Sequence, residues 1–145
     1  MKLGCRVSVA ASGIGFLILC YAALSESPLS LIWLLVILGC PFVLVTLLRR
    51  LINFKRPYEV YGFYEIPPKD KKGKSFPSRH AYSSFVISVM ALYLSPAIGI
   101  VLLVFSLALC VFRVLLGIHF IRDVACGALI GILSSVVGML ILTPF

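Results

Sequence analysis

The sequence predicts an all-α protein, an integral membrane helical bundle of about five transmembrane helices with one long interfacial loop. Three observations lead there. Apolar residues make up 61% of the 145 residues and charged residues 12%, with a mean hydropathy of +1.13, whereas a soluble domain has about a quarter of its residues charged. Uncharged runs recur at lengths that match a bilayer. The charges that do occur all fall between those runs or at their ends.

The runs between Arg6 and Glu26, between Glu26 and Arg49, and from Val124 to Phe145 are each about 19 to 22 residues, enough to cross roughly 30 Å of hydrocarbon as a helix. They read as spans one, two and five. The run from Ala81 to Phe112 is about 32 residues, too long for one crossing. Ser95-Pro96 interrupts it where proline stops a helix, so it reads as spans three and four joined by a tight turn. The first run also has the outline of a secretory signal, with Lys2 and Arg6 ahead of it. Its apolar part is long for that role, and no A-x-A site follows. In span five, Gly127 and Gly131 form a small-xxx-small pair, with Gly138 two turns on, a pattern that lets a neighbouring helix approach closely. No internal repeat appears, and residues 1–145 read as a single domain.

The long polar segment runs from Arg49 to His80. Its centre, Pro67-Pro68-Lys69-Asp70-Lys71-Lys72-Gly73-Lys74, mixes chain-breaking residues with lysines and reads as a mobile, solvated interfacial loop. The net charge of +8 does not point to nucleic acid, because the charges are not spread over a soluble face. With five alternating spans, all thirteen basic residues fall on one side of the membrane. The positive-inside rule makes that side cytoplasmic. The five cysteines (Cys5, Cys20, Cys40, Cys110, Cys126) lie in or beside apolar segments without a C-x-x-C pair, so they read as buried thiols rather than a metal site or a disulfide framework.

Ionisable residues at the ends of spans are costly and point to use. Three clusters carry them: Arg49 through Arg56-Pro57 after span two, Pro77-Ser78-Arg79-His80 before span three, and Arg113, His119 and Asp123 leading into span five. Each alone has an ordinary reading: a topogenic arginine stretch, a helix N-cap, a structural His–Asp pair. Together they hold both histidines of the chain. The set suits a phosphate ester, since guanidinium offers forked donors to non-bridging oxygens and the start of span three adds free N–H groups and the helix dipole. His119 and Asp123 are four apart, so on a helix the carboxylate can hold one ring nitrogen and leave the other nucleophilic, with His80 as an acid. Two histidines and one nearby carboxylate offer no metal constellation, so no cofactor is expected, the arginines serving instead to neutralise the transferring group.

The three clusters resemble the tripartite signature of the type 2 phosphatidic acid phosphatase and vanadium haloperoxidase superfamily, K-x6-R-P, P-S-G-H and S-R-x5-H-x3-D. The match spans residues 49 to 123 at the family spacing. The resemblance implies a phosphohistidine on His119, Asp123 as its orienting partner, His80 as the general acid, and Arg49, Arg56, Ser78 and Arg113 as the phosphate pocket. Three positions depart from the pattern: Arg49 replaces lysine, Phe112 replaces serine, and Arg79 replaces glycine. Arg79 either caps the phosphate site or points to headgroups. Membrane members usually have six helices, with the first cluster after the third; here it follows the second.

The expected function is a metal-independent membrane lipid phosphate phosphatase acting on a phosphomonoester or diphosphate of the phosphatidic acid, phosphatidylglycerol phosphate or polyprenyl diphosphate type. Its partners are the lipid phosphate substrate and membrane lipids, with no nucleic acid. The competing readings are a catalytically silent protein that binds anionic lipids, a haloperoxidase, whose relatives are soluble and larger, and a proton-relay transporter, which would need polar residues in mid-span. Charge bias puts the site on the cytoplasmic face of a cell membrane; the resemblance implies the opposite face.

Overall fold

The computed structural model describes residues 1–62 and 73–142, side chains 141 and 142 excepted. Most of the stretch read as a mobile loop therefore lies outside the described residues. The described residues form six helices, five long and one of a single turn: α1 (Lys2–Glu26), α2 (Pro28–Ile52), α3 (Pro57–Tyr61), α4 (Arg79–Leu94), α5 (Pro96–Leu115) and α6 (Ile121–Leu142). No strand occurs among them.

The breaks follow local chemistry. Ser27 ends α1 and caps α2 by accepting the Ser30 N–H at 3.1 Å, with Pro28 in the first helical position, where its missing N–H costs nothing. Ser95-Pro96 separates α4 from α5, again with proline in the first helical position but without a side-chain cap from Ser95. Asn53 closes α2 in the left-handed region, φ 46°. Gly117, φ 64°, turns the chain between α5 and α6, a conformation glycine adopts without steric cost.

Four of the long helices are long and apolar enough to cross a membrane. The fifth, α4, has 16 residues, roughly 24 Å at 1.5 Å per residue. It is also the central element, packed against α1, α2, α5 and α6. Tyr82, Val86, Ile87 and Ala91 of α4 are buried against Leu19, Leu34, Val45 and Leu102 of its neighbours. Large apolar side chains on α1, α2, α5 and α6 instead face outward, as expected when the surrounding solvent is lipid.

Small and hydroxyl residues bring the helices close. A methyl group added at Gly131 would meet the Tyr82 carbonyl at 2.7 Å, and one at Gly127 would collide with the Ser78 carbonyl, so α6 lies directly on α4. Gly138 faces Ile37 of α2. Ser88 and Ser106 share a 2.9 Å hydrogen bond between α4 and α5, and Ser135 of α6 donates to the Val86 carbonyl at 3.2 Å.

Candidate active site

The site is assembled at the start of α4 from four pieces of chain. The end of α2 brings Arg49, the turn before α3 brings Arg56, the segment 73–78 leads into α4, and the α5–α6 turn with the first turn of α6 brings His119 and Asp123. Arg49 is buried and donates through Nη1 to the Pro77 carbonyl at 2.8 Å. Arg56, also buried, donates through Nε to the Gly73 carbonyl at 3.1 Å. Each guanidinium thus anchors the segment ahead of α4 through one of its five N–H groups.

Glu59, which the sequence reading passed over, completes this brace. Its Oε1 accepts from the Arg56 N–H at 3.2 Å and the Gly73 N–H at 2.7 Å. Asn53 Oδ1 accepts from the Lys74 N–H at 3.2 Å, and the Phe54 carbonyl accepts from Ser75 at 2.9 Å. The first and second clusters are one structural unit.

Ser78 is fully buried and caps α4, its Oγ accepting from the Ala81 N–H at 3.4 Å. Its own N–H donates to the Asp123 carbonyl at 2.9 Å, which joins the second cluster to the third. The first N–H groups of α4, on Arg79 and His80, have no acceptor within the helix. His80 is exposed at the mouth of the site, in electrostatic reach of Arg113, His119, Arg79 and Arg49.

His119 is held differently from the helical-face arrangement that its spacing suggested. It lies in the turn before α6, its N–H donating to the Arg113 carbonyl at 3.2 Å, while Asp123 stands in the first turn of α6. Nδ1 of His119 lies 3.5 Å from Asp123 Oδ2. The same oxygen accepts from the Phe120 N–H at 3.0 Å and from the Ser75 hydroxyl. Ser75 Oγ is itself 3.4 Å from Nδ1. Ser75 is fully buried and was missed in the sequence, where it follows a run of charged residues and carries no signal of its own.

Burial pushes His119 below the ordinary histidine value; the Asp123 hydrogen bond opposes that shift, and the charges of Arg56 and Arg49 reinforce it. The ring is therefore kept neutral, the form in which a nitrogen carries a lone pair. Arg113, which meets Cys5 of α1 and lies in electrostatic reach of His80, has a buried Nε with no hydrogen-bond partner among the described residues, a donor that an anion could satisfy. Phe112, standing where the pattern has serine, packs its ring against Gly4 of α1.

The chain matches the PAP2 superfamily over residues 30–144. It belongs to that family. Membership makes it a phosphatase, a hydrolase of phosphoric esters, and the apolar helices make it a multi-pass membrane protein. Two solved structures share the fold. Aquifex aeolicus LpxE aligns with a TM-score of 0.68 at 22% identity, over 96% of this chain and 87% of its own. The first transmembrane PAP2-type phosphatidylglycerolphosphate phosphatase from Bacillus subtilis aligns with a TM-score of 0.70 at 21% identity, over 100% and 81%. No curated protein matches the chain in sequence.

Two openings reach the site. A cleft of about 1230 Å³ at the interfacial end is lined by His119, Tyr58, Tyr61, Phe120 and Arg122. A groove of about 480 Å³ between α1, α2 and α4 is lined by His80, Arg79, Phe16, Phe42, Ile87 and Leu109. The two histidines thus face different openings.

Proposed function

We propose that this PAP2 protein hydrolyses a lipid phosphate in two steps through a phosphohistidine on His119. One observation carries the reading: a buried, neutral His119, tied through Nδ1 to Asp123 and Ser75, stands among Arg49, Arg56 and Arg113, with His80 across the site. In the first step the Nε2 lone pair of His119 attacks phosphorus. The bond to the lipid oxygen breaks, and that oxygen takes a proton from His80. The phosphate dianion beside His80 supplies the negative charge that an imidazolium needs. In the second step His80, now neutral, takes a proton from water as its oxygen attacks phosphorus. The P–N bond breaks, its electron pair returns to Nε2, and inorganic phosphate leaves.

Asp123 remains a carboxylate throughout and steadies the positive charge that forms on His119. Arg49, Arg56 and Arg113 stabilise the equatorial oxygens, where charge builds in the transition state. Ser78 and the first N–H groups of α4 complete the phosphate pocket at the helix N-terminus. The groove at His80 has apolar walls suited to the lipid part of the leaving group, and the cleft at His119 gives water and phosphate their route. The domain extends over residues 1–145, and the site faces the cytoplasm.

The test is phosphate release by the purified full chain from a panel of phosphatidic acid, phosphatidylglycerol phosphate, a polyprenyl diphosphate and a sugar-lipid phosphate. Turnover of at least one, with water-soluble phosphate esters at least tenfold poorer in kcat/KM, is the expected result. Binding of these lipids without release of phosphate from any would favour a catalytically silent protein instead.

A further inference from the structure

Arg79 occupies the first helical position of α4, directly beside His80. A cation there faces the positive end of the helix dipole, which works against the helix. Its guanidinium lies 5.9 Å from the centroid of the Phe42 ring, and with His80 it lines the groove between α1, α2 and α4. Among the described residues no carboxylate pairs with it: the nearby acid, Asp123, is engaged by Ser75, Phe120 and His119. Arg79 thus stands in the same groove as His80, the group proposed to protonate the leaving oxygen. Arg49, Arg56 and Arg113 already stand around the position of the transferred phosphoryl group. A fourth guanidinium, half-buried and against an apolar wall, matches one further negative charge.

We infer that Arg79 determines specificity for leaving groups that carry their own negative charge near the scissile ester, which makes the substrate class a lipid with two phosphates rather than one. This rests on the lipid phosphatase reading above. The first phosphate is transferred to His119; the second stays with the lipid and is bound by Arg79 at the mouth of the groove. The bond broken is the same P–O bond as before. When the leaving oxygen belongs to the second phosphate, it departs as a stabilised anion and needs less from His80.

The experiment uses two matched pairs of substrates with the purified full chain in detergent micelles: farnesyl monophosphate against farnesyl diphosphate, and phosphatidic acid against phosphatidylglycerol phosphate. The quantity read is the ratio of kcat/KM, two-phosphate over one-phosphate, for the wild type and for Arg79→Gln and Arg79→Gly. Because both substrates meet the same preparation, a loss of folded protein cancels. The ratio is expected to fall at least tenfold in one pair. A fall in the farnesyl pair means that the second phosphate adjoins the first, and a fall in the glycerolipid pair means that it lies across a glycerol. An unchanged ratio in both pairs overturns the inference. Turnover that survives in His119→Ala would overturn the underlying reading instead, whereas an inactive His119→Ala with unmoved Arg79 ratios would overturn the inference alone.

Discussion

Ser75 and Asp123, forty-eight positions apart, meet through the Ser75 hydroxyl and the carboxylate oxygen that faces Nδ1 of His119. The segment ahead of α4 therefore positions the histidine of the α5–α6 turn. Ser75→Ala removes one hydrogen bond to a charged acceptor, which corresponds to about a tenfold effect. We expect kcat to fall by about that factor, and Asp123→Asn to lower it by roughly 10⁴. In the double variant the two effects should not add, because both act through His119. Full additivity would mean that Ser75 acts elsewhere.

The histidines separate by leaving group. His80→Ala should slow expulsion of a poor alkoxide and regain much of its rate on an aryl phosphate, whose leaving group needs no proton. His119→Ala should stay inactive on both. Comparable recovery in the two variants would reverse or dissolve the assignment.

The pH profile follows from burial. His119 sits below the ordinary histidine value, so its neutral, nucleophilic form persists as pH falls. The acid limb of kcat/KM that reports it should lie below about 6.5. Arg56 is one of the charges holding it down, and Arg56→Gln should move that limb to higher pH while lowering the maximum rate. A limb that stays in place or moves to lower pH in this variant would contradict the electrostatics.

Much of this was legible in the sequence for simple reasons. A span is a length of uncharged chain, so the five long helices and the Ser95-Pro96 break could be read directly, and the spacing of Arg113, His119 and Asp123 survives as a local turn. The relation of His119 to α6 was misread, because i,i+4 spacing fits both a helical face and a turn that runs into a helix. Ser75 and Glu59 were invisible for a different cause. Their partners lie far along the chain or on backbone N–H groups, and neither residue type signals such bonds alone.

Sidedness is tested by labelling. The described basic residues gather at the site's end of the bundle, and Glu26 is the charged side chain of the α1–α2 connection at the other. Single cysteines at exposed Lys74 and Ser25, in a background without the native five, should differ toward an impermeant thiol reagent on intact cells. A cytoplasmic site predicts labelling at position 25 only. Labelling at position 74 only would place the site on the opposite face.

The central claim is that His119 carries the phosphoryl group between two steps. Rapid mixing with a radiolabelled lipid phosphate in excess chelator, followed by an alkaline quench and peptide mass spectrometry, measures it directly. The account predicts acid-labile, base-stable label on the peptide containing residue 119, formed without a divalent ion, present in Asp123→Asn at a slower rate and absent in His119→Ala. Label on another residue, or turnover that the chelator abolishes and Mg²⁺ restores, would contradict it.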